Sequence, residues 1–347
     1  MLSDPHDAGQ RLPEYAKDAD SEHLLLQVNQ ACQALPLAWH VPAEIAELPL
    51  IYVVGAPRSG TTLLAQVLIH ALRLGYIDNI VARFYLRPLV GVVLSRAVLG
   101  ADAVAQTAFD SRHGVTREPA GHHEFGYFWR HWLKLDAQPT HRLDTVAREH
   151  IDVRALGDTL RHELLGGFGL PVLFKNVICG LNAQLLAHAH PNALFINIVR
   201  EAGPACRSIL AARKARYGRF DSWWSVKPSN FPEIEHETDP AVSVVRQYLG
   251  TLGDLDEELS GLETRRLDVS YEQLIRSPQR VIELVRERLG ELGHLPALRR
   301  EPLPDLHMAS GALLPPALCT SVDRALAEHA DRSAGPRTNE PAFDPNS

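Results

Sequence analysis

Residues 50–64 of the chain read LIYVVGAPRSGTTLL, an apolar run followed at once by a loop that begins and ends with glycine. Residues 50–54 have the continuous apolar character of a strand that is buried on both faces of a parallel sheet. Gly55 and Gly60 allow backbone N–H groups to close around a phosphate, and a following helix N-terminus adds unpaired donors and partial positive charge. The stretch predicts a strand, a phosphate-binding loop and a helix over residues 65–74.

Three further apolar runs predict parallel strands, at residues 171–174, 193–199 and 266–269. Each run is followed by a helical pattern. Strands that alternate with helices imply right-handed crossovers and a parallel sheet with helices on both faces. We therefore expect a three-layer α/β fold of the P-loop type, in which ligands bind at the carboxyl ends of the strands.

The domain organisation is predicted to be simple, because no internal repeat or low-complexity linker divides the chain. Residues 1–20 are polar and of mixed charge, which predicts a flexible N-terminal tail. Residues 21–300 form one predicted domain, with a helical insertion at about residues 75–169. Residues 301–347 are rich in Pro and Ala and predict a loosely docked tail that contains one helix, over residues 321–333.

Composition limits the classes of ligand. The chain has 347 residues, 45% of them hydrophobic, and a formal net charge of −7, which disfavours bulk attraction to nucleic acid or to an anionic membrane. An anionic ligand therefore needs a local basic site. The N-terminus has no apolar signal segment and no run is long enough to span a bilayer, so we expect a cytoplasmic protein. Four scattered cysteines without a CxxC pair predict neither a disulfide framework nor a zinc site.

The loop departs from the motif of nucleoside triphosphatases in an informative way. The lysine position of GxxxxGK[ST] holds Thr61, and the cationic side chain comes earlier, at Arg58. The strands before Lys175 and Arg200 also lack the aspartate that would hold Mg²⁺. These features disfavour a P-loop kinase of small molecules, which remains the rival enzyme class. A plain turn that connects a strand to a helix is the other alternative.

The sequence PRSGTTLL after an apolar strand resembles the 5′-phosphosulfate loop of sulfotransferases that use 3′-phosphoadenosine 5′-phosphosulfate (PAPS). The resemblance covers roughly residues 50–278 and is weakest in the insertion. It implies PAPS as the donor, with no metal required, and it implies that Arg58 holds the phosphosulfate. The surrounding loop is then formed by Ser59, Gly60, Thr61, Thr62 and Leu63.

A second segment, LFINIVREAGPACRSILAARKARY at residues 194–217, resembles the family's 3′-phosphate motif. Arg200 follows the strand and Ser208 comes eight positions later, on a predicted helix, so both can converge on one phosphate. Glu201 departs from the usual Asp, and local pairing of Arg200 with packing of Ser208 is the alternative.

A third segment, RLDVSYEQLIRSP at residues 266–278, resembles the family's strand before Tyr-Glu, and this implies that Tyr271 lies near the adenine.

Sulfuryl transfer needs an oriented hydroxyl, a base and cations on the leaving phosphate oxygens. By the resemblance, Lys175 contacts the transferring group; a solvated lysine at a strand end is the alternative. Many family members have a histidine two residues after this lysine, but here the position is Val177, which cannot accept a proton. That substitution also favours a second hypothesis, a catalytically silent nucleotide-binding protein.

The insertion offers a better candidate for the base, in the run REPAGHHEFGYFW at residues 117–129. A carboxylate or imidazole beside such rings can have a near-neutral pKa, so Glu124 is the first candidate and His123 the second. Glu118 and Asp78 are further options for the base. The alternative is that this run is a solvated polar turn. The spacing of its histidines and glutamate disfavours a metal site. Aromatic side chains could pack on an acceptor or form core: Tyr127, Trp129, Trp132, Trp223 and Trp224.

Together these observations predict a PAPS-dependent sulfotransferase that acts on a hydroxyl-bearing acceptor. The acceptor stays open among a glycan, a lipid and a small phenolic metabolite. The sequence gives no indication of the oligomeric state.

Overall fold

The computed structural model describes residues 11–36, 39–100, 109, 116, 118–299, 303–308 and 313–333. Its centre is a sheet of five parallel strands in the order β2-β3-β1-β4-β5. The strands are β1 (Leu50–Val54), β2 (Gly75–Tyr76), β3 (Val172–Lys175), β4 (Ala193–Val199) and β5 (Arg266–Ser270). Because β1 lies between β3 and β4, the segments that follow these three strands meet at one edge of the sheet.

Helices connect and cover the strands. In chain order they are α1 (Ala19–Gln33), α2 (Ala43–Ala46), α3 (Thr61–Ala71), α4 (Pro88–Leu99), α5 (Gly126–Trp132), α6 (Thr145–Glu149), α7 (Val153–Thr159), α8 (Gly166–Phe168), α9 (Val177–Gly180), α10 (Ala183–Ala189), α11 (Ala202–Tyr217), α12 (Phe231–Ile234), α13 (Pro240–Leu259), α14 (Tyr271–Arg276), α15 (Pro278–Glu291) and α16 (Pro316–Ser333). A π-helical segment, Leu160–Leu165, joins α7 to α8.

The sheet has a hydrophobic core on each face, as side chains alternate along a strand. In β1, Tyr52 points to a core shared with α11 and α13, whereas Ile51 and Val53 point to a core shared with α3 and α15. Tyr52 stacks between the rings of Phe174 and Phe195. Helices therefore cover both faces, and the predicted three-layer parallel α/β fold is confirmed.

The element bounds follow the sequence closely. The strands predicted at residues 50–54 and 193–199 are found with those limits. The strand predicted from residue 171 begins instead at Val172, since Pro171 has no backbone N–H to give to a neighbouring strand. Helix α3 starts at Thr61 rather than at residue 65 because Gly60 takes a left-handed conformation that turns the chain directly into the helix. It ends at Ala71, where Leu72 becomes extended.

Both terminal segments contact the domain where they are described. Leu12 donates its backbone N–H to Arg216 in α11, and the chain then runs past the cleft into α1. At the other end, α16 begins five residues before the helix expected at residues 321–333, with Pro316 in its first turn. Val322 of α16 is fully buried against α11 and α13. The predicted tail segments at residues 1–10 and 334–347 lie outside the described residues.

All four cysteines are free thiols, and Cys179 and Cys206 are buried. No helix in the described part of the chain combines the length and apolar character needed to cross a bilayer.

Candidate active site

The loop after β1 has the backbone geometry of an anion site. Gly55 and Gly60 both have positive φ, and a Cβ at either position would overlap the Ile198 carbonyl or the Tyr271 ring. Helix α3 begins directly after Gly60, so its first N–H groups open toward the loop. The buried hydroxyl of Ser59 has no hydrogen-bond partner among the described residues. Glycine at both positions thus permits a closed loop with unsatisfied donors.

Arg58 joins this loop to α11. Its backbone φ of 68° is left-handed, which is unusual for a residue other than glycine. Its side-chain Nε donates to the Ser208 hydroxyl at 2.9 Å. Arg200 donates to the Arg58 carbonyl at 3.1 Å and lies over the Tyr271 ring at 4.3 Å. The structure therefore brings together residues from three separate segments of the sequence: Arg58, the pair Arg200 and Ser208, and Tyr271.

This cluster is electropositive. Burial lowers the pKa of Arg58, and the neighbouring Arg200 lowers it further. Neither guanidinium forms an ion pair with a carboxylate within the described ranges. Tyr248 in α13 holds the Arg200 backbone in place by donating its hydroxyl to the Arg200 carbonyl at 2.8 Å. Two adjacent guanidinium groups without an acid favour an anionic ligand such as a phosphate.

Lys175, at the end of β3, is only 3% exposed and forms an ion pair with Glu124. It is therefore not a solvated lysine at a strand end. Asn176 fixes the other partner by donating its side-chain N–H to the Glu124 carbonyl at 2.8 Å. Desolvation raises the pKa of Glu124, although its side chain is half-exposed, and the Lys175 ammonium, with smaller contributions from His123 and Arg216, holds that pKa below its usual range. Glu124 is accordingly ionised and able to accept a proton at neutral pH.

The two histidines before Glu124 are neutral. His123 accepts a hydrogen bond on Nδ1 from the Phe125 backbone N–H at 2.9 Å, and burial lowers its pKa to about 4. Burial likewise lowers the pKa of His122 to about 3. The near-neutral pKa expected from the sequence is wrong for both Glu124 and His123, because the ion pair lowers one value and desolvation lowers the other. The described residues contain no group of three metal-ligating side chains.

Asp78, another option for the base, has a structural role. Its carboxylate accepts the backbone N–H groups of Ile80 and Val81 at 2.9 and 2.7 Å, and the Ser95 hydroxyl donates to its other oxygen. Its side chain is 3% exposed. With both oxygens engaged, this carboxylate is not free to deprotonate a ligand.

Val177 begins α9 and carries no group that could replace the missing histidine.

Donor-side and base-side residues line one cleft of about 850 Å³. Tyr127, Trp223 and Trp224 face this cleft from the side of Glu124. Trp129, in contrast, is fully buried against Tyr52 and Phe174. Trp129, one of the aromatic side chains that the sequence left open between acceptor contact and core, is therefore a core residue.

The comparisons with known proteins agree with this geometry. A family model described as the sulfotransferase family matches residues 49–292, which is more than half of the chain. The chain belongs to the sulfotransferase family. A search among curated proteins found no match.

Solved sulfotransferase structures are similar at low sequence identity. Sulfotransferase STF9 from Mycobacterium avium is 17% identical, with a TM-score of 0.45, over 88% of this chain and 72% of that one. STF1 from Mycobacterium tuberculosis is 13% identical, with a TM-score of 0.43, over 82% and 72%. A sulfotransferase from Alicyclobacillus acidocaldarius is 16% identical, with a TM-score of 0.36, over 81% and 92%. The family assignment rests on the family model and not on these TM-scores.

All residues predicted for the donor site, apart from Ser59 and Ser208, line the cleft, as do Glu124 and His123, and Ser208 bonds to Arg58 at its wall. Glu118 and Asp78 do not line it. Sequence reasoning missed Tyr248, Asn176, Arg83 and Arg216. Tyr248 and Asn176 act by hydrogen bonds to backbone carbonyls, which no side-chain pattern reveals. Arg216 lies eight positions after Ser208 on α11, so helical spacing from the phosphate motif was the one available signal.

Proposed function

We propose that this sulfotransferase transfers the sulfuryl group of PAPS to a hydroxyl of an acceptor, with Glu124 as the base. The observation that carries the proposal is the contact between Glu124 and the buried Lys175 in a cleft that also contains the Arg58–Arg200 cluster. A base and a cation thus lie beside a site suited to phosphates.

The residues present suit the donor. The glycine loop and the open N-terminus of α3 offer backbone donors for the 5′-phosphosulfate, together with Arg58 and Lys175. Arg200 and Ser208 are assigned to the 3′-phosphate. Tyr271, whose ring lies under Arg200, is assigned to the adenine. Thr61, Thr62 and Leu63 complete the donor side of the cleft.

The reaction is an in-line transfer. The acceptor oxygen forms a bond to sulfur while the bond between sulfur and the bridging phosphate oxygen breaks, and the leaving nucleotide keeps the electron pair. Glu124 accepts the hydroxyl proton. Lys175 and Arg58 stabilise the charge that develops on the leaving oxygens, so positioning and electrostatics supply most of the rate enhancement. No step requires a metal.

The ion pair between Glu124 and Lys175 gives donor binding a chemical consequence. A sulfuryl group that recruits Lys175 draws the ammonium away from Glu124, and the pKa of Glu124 then rises because the main cation that lowers it is withdrawn. A higher pKa makes Glu124 a stronger base. Donor binding would thus activate the base only when the transferring group is in place.

Transfer from labelled PAPS tests the function. The protein is incubated with PAPS labelled in its sulfuryl group and with a cell extract, and the labelled products are identified by mass spectrometry. We expect label in one class of hydroxyl compound, and no dependence on added EDTA. A parallel incubation with ATP and Mg²⁺ tests the rival kinase. Phosphorylated products there, without sulfated products from PAPS, would contradict the proposal.

A further inference from the structure

The half of the cleft on the side of Glu124 carries more positive charge than the sequence suggests. Among the described residues that line the cleft, eight are Lys or Arg and three are Asp or Glu, in a chain of net charge −7. Arg58, Lys175 and Arg200 belong to the proposed donor site. The other five cations flank the space left for the acceptor: Arg11, Lys17, Arg83, Arg130 and Arg216.

The carboxylates on this side are already engaged. Lys17 pairs with Glu22 at 3.3 Å, and Arg130 pairs with Asp136. Asp18 accepts the backbone N–H of Ser21 at 2.8 Å and so caps α1. These acidic side chains near the acceptor space therefore already form ion pairs or hydrogen bonds with nearby residues, and none of these contacts involves Arg83 or Arg216.

Arg83 and Arg216 form no ion pair with a carboxylate in the part of the chain that the structure describes. The Arg216 guanidinium lies over the Tyr15 ring at 5.7 Å, and its Nε is shielded from solvent without a hydrogen bond. A buried N–H group left without an acceptor is unfavourable, and an acceptor atom on a ligand would relieve this. Arg83 is exposed to the cleft, and its side chain forms no hydrogen bond or ion pair with any residue that the structure describes. Both side chains are therefore free to bind an anion.

Both arginines line the same cleft as the proposed base. Arg216 lowers the pKa of Glu124, after the larger effects of burial, Lys175 and His123, and Arg83 contributes to lowering the pKa of His123. Arg216 is eight residues from Ser208 on α11, which places it about 12 Å further along the helix axis. It is thus too far from Ser208 to share the proposed 3′-phosphate, and its anion must come from another ligand.

We infer that the acceptor carries an oxyanion, a carboxylate or a phosphate ester, which binds Arg216 and Arg83 while the acceptor hydroxyl lies at Glu124. That this ligand is the acceptor rests on the proposed function, whereas the binding of an oxyanion to the two arginines does not. Guanidinium groups bind such oxyanions through paired, charge-assisted hydrogen bonds. A neutral glycan or an uncharged phenol would leave the two cations without a partner.

A matched set of phenols tests this inference. Affinities of 4-hydroxyphenylacetate, its neutral amide and 4-hydroxybenzylphosphonate are measured by ligand-observed NMR in the presence of saturating PAP. We expect the acid to bind roughly 10- to 100-fold more tightly than the amide, the range for a charge-assisted contact. Its affinity should fall as salt increases. Tighter binding of the phosphonate would identify a phosphate ester as the preferred anion, and tighter binding of the acid a carboxylate.

Variants localise the effect. Arg216→Gln and Arg83→Gln should each reduce the preference for the acid and leave PAP affinity unchanged. Arg280→Gln, on the exposed face of α15 away from the cleft, is the matched control and should keep the preference. Equal affinity for acid and amide, binding of neither, or an unchanged preference in both cleft variants would overturn the inference. A preference for the acid in a protein that fails to bind PAP would contradict the proposed function but not the anion site.

Discussion

Arg58 shows at the scale of one residue how two distant segments become one site. Its left-handed φ costs of the order of 1–3 kcal/mol and places its Nε against Ser208 and its carbonyl against Arg200. Strain of this kind persists where the surrounding structure requires it. Here it holds the loop after β1 against helix α11, through a contact between residues 150 positions apart.

Glu124 carries the first prediction. Glu124→Gln preserves shape but removes the proton acceptor, so turnover should fall by roughly 10² to 10⁴. PAP affinity should be kept or increased, because Lys175 loses its competing carboxylate. Release of PAP from PAPS, with an acceptor fraction from extract, measures turnover; calorimetry measures PAP affinity.

His123→Ala is the companion variant and should cost less, because the His123 Nδ1 is occupied by a backbone N–H. Circular dichroism checks that both variants fold. Near-normal turnover in Glu124→Gln would move the role of base to His123 or Glu118. Asp78 no longer competes, since its carboxylate caps the turn at Ile80 and Val81.

At the scale of elements, α11 organises both halves of the cleft. Beyond Ser208 and Arg216 it carries Arg213, which is fully buried, forms no ion pair with a carboxylate among the described residues, and has its pKa lowered by burial to about 10. Arg213 donates to the Phe220 carbonyl at 3.3 Å and to the Gln247 side chain at 2.9 Å. This pair of side chains fixes the loop that presents Trp223 and Trp224 to the cleft.

Gln247 gives a prediction for this loop. It donates to the carbonyls of Trp224 and Val226 at 2.8 and 3.0 Å, and Gln247→Leu removes both hydrogen bonds. We expect faster amide hydrogen exchange in residues 219–226 and a higher KM for the acceptor, with PAP affinity kept. Gln184→Leu removes a side-chain hydrogen bond to the Glu257 carbonyl at 3.3 Å, near the surface, and is the control. Unchanged exchange in residues 219–226 would show that Gln247 does not hold the loop.

Elements also show which parts of the fold the sequence could predict. Two strands were predicted with their observed limits because continuous apolar runs bounded by Gly, Pro or charge are a strong signal. Strand β2 was missed, since two residues have no periodicity. The contact of Lys175 with Glu124 joins residues 51 positions apart and depends on the path of the insertion, which no local pattern encodes. Motif residues were therefore predictable, whereas their partners were not.

At the scale of the whole molecule, strand order decides where the chemistry lies. The β1 loop is flanked by Lys175 after β3 and by Arg200 after β4 because β1 pairs with both strands. Parallel strands end at one edge, so all three segments meet there. Helix α16 packs on α11. Its Val322 is buried, and its Asp323 forms an ion pair with Arg207 of α11 at 2.6 Å.

Helix α16 gives a prediction about stability. Val322→Asp places an unpaired carboxylate in a buried position, which should cost of the order of 3 kcal/mol. The midpoint of thermal unfolding should fall, and PAP affinity should fall with it if α16 supports α11. Ala327→Asp introduces the same charge on the exposed face of α16 and should have little effect. An equal midpoint for the two variants would mean that the docking of α16 contributes nothing to the fold.

Calorimetry of PAP and AMP tests the central claim, that two phosphate subsites define a PAPS-type donor site. PAP should bind roughly 10- to 100-fold more tightly than AMP, because only PAP carries the 3′-phosphate that is assigned to Arg200 and Ser208. Arg200→Ala should remove most of this difference, whereas Arg207→Ala, next to Ser208 on α11 but paired with Asp323, should preserve it. Equal affinities of the wild-type protein for PAP and AMP would contradict the account.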